Sequence, residues 1–206
     1  MKAHFDKDNI IKQDEDENFQ QLKHPKNKHS SKKNVEIHEL DTTLYENILG
    51  KDFINSKLEP VLGSEVFNAP VICLLFTSHW SNPCFLLGKD LLELYQESNQ
   101  GIKNLEIIQC TLEREFVQGE KQEVINEVKR DGEIKFKAFI NEKPWIFINY
   151  NDERNEMLKE RYSIKYVPQL WVLKKDLSVL TRDGRKELAN EGPCVSERWM
   201  KMIENS

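Results

Sequence analysis

The residues Val71-Ile72-Cys73-Leu74-Leu75-Phe76-Thr77-Ser78-His79-Trp80-Ser81-Asn82-Pro83-Cys84 decide how this sequence folds. The first six form an unbroken apolar run, which is how a central strand covered on both faces reads. Beyond them, Cys84, Leu87, Leu91 and Tyr95 share one face of a helix predicted over 84–95. The run Phe76–Cys84 therefore joins a buried strand to a helix, and chemistry is sought there first.

Working outward toward the C-terminus, Leu105–Cys110 is a second apolar strand, followed by a charged, helix-prone stretch over 113–130. Trp145–Asn149 reads as a strand and Asp152–Tyr162 as a helix. Strands at Gln169–Leu173 and Ser178–Thr181 are joined by a polar turn at Lys174-Lys175-Asp176. An amphipathic helix over Ser196–Ile203, which Ser196 can cap, closes the chain. Toward the N-terminus, Thr42–Leu49 reads as a helix stopped by Gly50, with a loop between it and the first strand. The order β-α-β-α-β-α-β-β-α predicts an α/β domain, a central mixed β-sheet flanked by helices. Strands 71–76 and 105–110 should be adjacent and parallel, connected through the Cys84 helix.

Residues 1–34 read differently. An acidic block, Asp14-Glu15-Asp16-Glu17, precedes a basic stretch from Lys23 to Lys33. Apolar residues there are too few to offset the entropy of folding, so the segment is expected to be disordered alone and to order on a partner. The domain is expected over 35–206. Apolar residues make up 38% of the 206 and charged residues 32%, and no apolar run has the length to cross a bilayer. The net charge of -5 gives no electrostatic reason to expect nucleic acid. The acidic start of the chain fits no secretory or transit signal, so a cytoplasmic address is expected. The four cysteines and five histidines show no metal-ligand spacing, and neither metal nor cofactor is expected. Cys73 and Cys110 read as core, and Cys194 as exposed.

The strand, then Trp-x-x-Pro-Cys, then helix resembles the thioredoxin superfamily, in its tryparedoxin/nucleoredoxin branch, where the motif is Trp-Cys-Pro-Pro-Cys. Pro144-Trp145-Ile146 resembles that branch's Pro-Trp strand entry. Tyr162–Leu170 resembles the segment bearing its cis-proline, which here is Pro168 after Val167. Thr181-Arg182-Asp183-Gly184-Arg185 resembles its final turn. The resemblance covers about residues 50–204. It implies a thioredoxin-like fold and a groove beside Pro168 in which an extended peptide docks as an added strand.

The active-site motif reads Trp80-Ser81-Asn82-Pro83-Cys84, so the first cysteine of the pair is Ser81. A thiolate at a helix start is stabilised by backbone N–H groups and the dipole; a hydroxyl is far harder to ionise and forms no mixed disulfide. Serine does suit a helix cap, and Pro83 suits a first turn. Where the family carries a buried acid, an active-site helix proline and a basic residue after the second cysteine, this chain has Leu75, Lys89 and Phe85.

These departures lead to the expectation of a thioredoxin-like protein that has lost dithiol oxidoreductase activity and serves as a binding or structural component of a larger assembly. Protein partners are expected through residues 1–34 and through the Trp80/Pro168 groove, with Trp80 as an anchor at its rim. An acidic surface such as that of tubulin would suit Lys23–Lys33, so a cytoskeletal or ciliary assembly is one expected setting. The alternative is residual monothiol redox chemistry at Cys84, with His79 as base. Against it stands a reading of Cys84 as a small apolar residue packed on the sheet. A divergent peroxidase is disfavoured, since no cysteine sits at the helix start.

Overall fold

The first element, α1 (Thr43–Leu49), buries Tyr45 and Leu49 and ends at Gly50, whose φ of 84° lets its N–H reach the Glu46 carbonyl at 3.0 Å. This computed structural model describes residues 43–112 and 121–205, all within a unit spanning residues 39–206. The expected tail, residues 1–34, and residues 113–120 of the expected charged helix lie outside the described residues. The loop expected before the first apolar strand instead holds a small hairpin, β1 (Asp52–Ile54) and β2 (Pro60–Leu62), and a single helical turn, α2 (Gly63–Val66). The Asn55 side chain builds the hairpin turn. Its Oδ1 accepts the Lys57 and Glu59 N–H groups at 2.9 and 3.0 Å, while Leu58 takes a left-handed φ of 65°.

The deciding stretch is β3 (Val71–Thr77), buried at every position, followed by α3 (Asn82–Ser98) and then β4 (Leu105–Thr111). The strands β3 and β4 pair in parallel from Val71↔Leu105 to Thr77↔Thr111, with α3 as the crossover, as expected. The helix starts two residues before the predicted position, because Pro83 needs no N–H partner in the first turn. Next comes α4 (Gln122–Ile140), displaced toward the C-terminus from the charged stretch over 113–130. Its buried residues are Gly132, Phe136, Phe139 and Ile140, so the helix extends to where its apolar stripe meets the sheet.

The Trp145–Asn149 strand contracts to β5 (Ile146–Phe147), parallel to β4; α5 (Arg154–Arg161) follows. The hairpin β6 (Gln169–Leu173) and β7 (Val179–Thr181) forms as expected, with β7 starting one residue later because Ser178 belongs to the turn. The helix α6 (Gly184–Glu191) was not expected; Leu188 is its one buried large apolar residue, too little to make a visible period. The last helix, α7 (Val195–Glu204), begins before Ser196, so Ser196 is not its cap. The Ser196 hydroxyl donates instead to the Pro193 carbonyl at 3.1 Å.

Among the described residues the sheet has seven strands in the order β2-β1-β5-β4-β3-β6-β7. It is mixed, since β3 pairs in parallel with β4 and antiparallel with β6. Alternation along β3 divides the core. Ile72, Leu74 and Phe76 pack on one face with α1 and Leu158 of α5. Val71, Cys73 and Leu75 pack on the other with Leu87 and Leu91 of α3, Phe136 of α4, Leu188 of α6 and Trp199 of α7.

Candidate functional site

β3 ends at Thr77, whose carbonyl accepts the Leu112 N–H at 2.8 Å. Because Phe76 pairs with Gln169, the chain leaving β3 and the chain entering β6 lie at the same end of the sheet. One wall of the site therefore consists of residues 78–84 and the other of residues 166–168. Trp80 is 56% exposed and Tyr166 70% exposed, so each wall carries a solvent-facing aromatic. The Val167–Pro168 peptide bond is cis, as expected, with Pro168 buried and Val167 packed against the core.

Ser81 occupies the N-cap position of α3 with an extended backbone, φ −103° and ψ 115°. Its hydroxyl makes no capping hydrogen bond, contrary to expectation; its carbonyl accepts the Cys84 N–H at 3.0 Å. The two amides that a capping side chain accepts from are not on offer: Pro83 has no N–H, and the Cys84 N–H is taken by the Ser81 carbonyl. Asn82 and Pro83 are exposed in the first turn. Cys84 turns inward and is 4% exposed, with its sulfur 3.9 Å from the Ser78 hydroxyl. All four cysteines are free.

His79 does not pair with Cys84. Its ring lies 6.5 Å from that of Tyr150, and its Nδ1 is buried without a hydrogen bond. Burial lowers its pKa, the Lys135 charge adds to this, and Asp131 opposes it. Lys143 is coupled electrostatically to Cys84. Burial pulls the Lys143 pKa down to about 8, and the charge of Cys84 pulls it back up. The Lys143 ammonium sits 3.4 Å from the centre of the Phe139 ring and donates to the Phe139 carbonyl, and both contacts favour the cation. Phe139 in turn meets Phe85 edge-on at 4.9 Å, which ties the end of α4 to the start of α3.

Leu75, in place of the family's buried acid, packs in the same core cluster as Leu87 of α3. On the other wall, Arg185 donates to the Pro168 carbonyl at 3.4 Å. Arg182 lies 4.9 Å over the Trp171 ring, whose indole N–H donates to Gln169 at 2.8 Å. The motif residues Trp80, Ser81, Asn82, Pro83, Cys84, Val167 and Pro168 are thus gathered at one end of the sheet. Sequence reasoning missed Lys143 and Arg185, although each stands in or beside a quoted motif. Among the described residues, no group of three or more His, Cys, Asp or Glu is placed to hold a metal ion. No described helix is long and apolar enough to cross a membrane.

The family model that matches residues 69–179 is described as thioredoxin-like. Human nucleoredoxin is 32% identical over 125 residues, which is 60% of this chain and 25% of that protein. Xenopus laevis nucleoredoxin is 26% identical over 137 residues, 66% of this chain and 29% of that protein. The chain thus spans about a quarter of the length of these relatives. Among solved structures, tryparedoxin I from Leishmania major superposes with a TM-score of 0.56 at 22% identity, covering 74% of this chain and 94% of that one. Tryparedoxin II from Crithidia fasciculata gives 0.57 at 16% identity, covering 73% and 89%.

Proposed function

This chain belongs to the thioredoxin-like family, on its nucleoredoxin and tryparedoxin side, and from that premise we propose that it is a binding module without dithiol oxidoreductase activity. It holds an extended protein segment between Trp80 and Pro168 as part of a larger assembly. The observation that carries this reading is Ser81 at the N-cap of α3. Dithiol exchange needs one sulfur to attack and a second to resolve the mixed disulfide. With Ser81 in the attacking position, Cys84 has no partner sulfur in the motif. The hydroxyl supplies neither a thiolate nor a leaving group. The exposed aromatics Trp80 and Tyr166, on either side of the cis-proline segment, suit peptide docking. The test is insulin reduction with dithiothreitol as electron source, comparing the protein with its Ser81→Cys variant. The wild type should give no turnover above the reagent alone, while the variant should gain some. Wild-type turnover matching that of a working thioredoxin would sink the proposal.

A second reading, monothiol chemistry at Cys84, is favoured by the electrostatic coupling of Lys143 to Cys84, since a nearby cation stabilises a thiolate. In that reading the Cys84 thiolate attacks a small-molecule disulfide, forms one mixed disulfide and releases one thiolate. Mass spectrometry after incubation with oxidised glutathione distinguishes the two. A single adduct on Cys84, lost in Cys84→Ser, supports the second reading, and its absence supports the first.

A further inference from the structure

At the opposite sheet edge from β2, β7 is the terminal strand and its outer side has no partner strand among the described residues. A hollow of about 640 Å³ lies along this edge, lined by Lys174, Val179, Leu180, Arg198, Lys201 and Met202. Val179 packs against the core cluster on one face of the sheet and Leu180 against that on the other, so the hollow wraps the edge itself. Its apolar lining is Val179, Leu180 and Met202, and every charged residue lining it is basic. Arg198 is already committed, donating to Glu187 at 2.9 Å and to Glu191 at 2.8 and 2.9 Å. Lys174 and Lys201 have no ion-pair partner among the described residues. Asp176, beside Lys174 in the turn, directs its carboxylate to the Ser178 N–H and hydroxyl, at 2.9 and 2.6 Å, and interacts with the Lys174 charge only through space, without an ion-pair contact.

We propose that this edge docks an extended acidic segment of a partner protein, in which carboxylate and aliphatic side chains alternate. A chain lying along a strand presents successive side chains to opposite sides. One set, on the side of Leu180 and α7, then meets Lys174 and Lys201, and the other lies on the side of Val179. Because β7 is only three residues long, it offers few main-chain hydrogen bonds. Charge must therefore supply most of the affinity, and binding should weaken steeply with salt. The surface is separate from the Trp80/Pro168 site, so the two proposals stand or fall independently.

The experiment titrates the full-length, 15N-labelled protein with a terminally blocked peptide of alternating Glu and Val, followed by NMR. Shifts should concentrate in residues 173–180 and 198–205. Affinity should fall about tenfold between about 50 and about 300 mM NaCl. The doubly substituted Lys174→Glu, Lys201→Glu protein should lose binding while keeping its thermal midpoint, since neither side chain is buried. Any of three results would overturn the proposal: no binding, shifts confined to the Trp80 and Pro168 segments, or equal affinity for the peptide in the double variant. Equal shifts from a thymidine oligonucleotide would overturn the assignment to an acidic peptide.

Discussion

The Cys84 sulfur lies 3.9 Å from the Ser78 hydroxyl, and no other side-chain polar group among the described residues hydrogen-bonds to it. The thiol thus faces into the turn that leaves β3, away from solvent. Cys73 and Cys110 are deeper still, and burial pushes both thiols well up, helped at Cys73 by the Glu106 charge. Cys194 alone is exposed. Ellman's reagent should therefore react with one fast thiol, removed by Cys194→Ser, while the other three react slowly. All four should react after denaturation without reductant; two missing thiols would reveal a disulfide and contradict this geometry.

Glu187 joins three elements. Its carboxylate accepts the Trp199 indole N–H at 2.6 Å, the Thr181 hydroxyl at 2.7 Å and an Arg198 N–H at 2.9 Å. Burial alone would raise its pKa, but these donors outweigh burial and hold it below the usual carboxylate range. The stabilisation is therefore complete above the unfolded value and is lost as pH falls through the folded one. Glu187→Ala should cost about 2–3 kcal/mol at neutral pH, because the buried indole N–H loses its acceptor. Urea unfolding at pH 7 and again near pH 3 checks both statements, and the variant's penalty should shrink in acid.

Glu106 shows the opposite sign. It is a fully buried carboxylate within β4, ion-paired to Lys103 and accepting the Ile107 N–H at 3.0 Å. Burial raises its pKa against the pull of Lys103, Ile107 and Tyr95. The folded state keeps a proton there after the unfolded chain has lost it. Stability consequently falls as pH rises from the unfolded value through the folded one. Glu106→Gln removes that slope, so the variant should gain on the wild type with increasing pH. Denaturant midpoints measured from about pH 4 to about pH 8 should converge in acid and separate above it. Parallel curves would refute the assignment.

Gly184 sits where a Cβ would stand 2.6 Å from the Leu170 carbonyl oxygen. That oxygen belongs to β6 and cannot swing away as a flexible side chain would. Gly184→Ala should destabilise the domain by about 2 kcal/mol, visible as a lower thermal midpoint. A midpoint equal to that of the wild type would show that α6 can shift without cost.

The parts of the fold legible in the sequence are those written as continuous apolar runs. β3, β4 and β6 are buried nearly throughout, and the motifs around Trp80 and Pro168 are anchored to them. What escaped reading has a local or a long-range cause. The β1–β2 hairpin depends on the Asn55 side chain and a left-handed leucine, neither of which leaves a periodic trace. α6 buries too little to show a stripe. A buried Glu106 inside an apolar strand cannot be told from an exposed one by alternation, because both faces of that strand are covered. In the site, the positions of Ser81, Cys84 and Pro168 followed from the motif. The contact of Lys143 with Phe139 did not, because it depends on where α4 ends.

The two walls of the candidate site hang from neighbouring strands. Trp80 follows β3, Pro168 precedes β6, and Phe76↔Gln169 is the last rung between them. Adjacent strands stand about 4.8 Å apart, a spacing held by backbone hydrogen bonds and indifferent to side-chain identity. The site therefore has a built-in gauge. The separation of its two rims at their roots is set by the sheet and not by the side chains that stand on them. Amino-acid changes at Trp80 or Tyr166 alter the surface the rims present, but widening the gauge would require the central sheet to come apart.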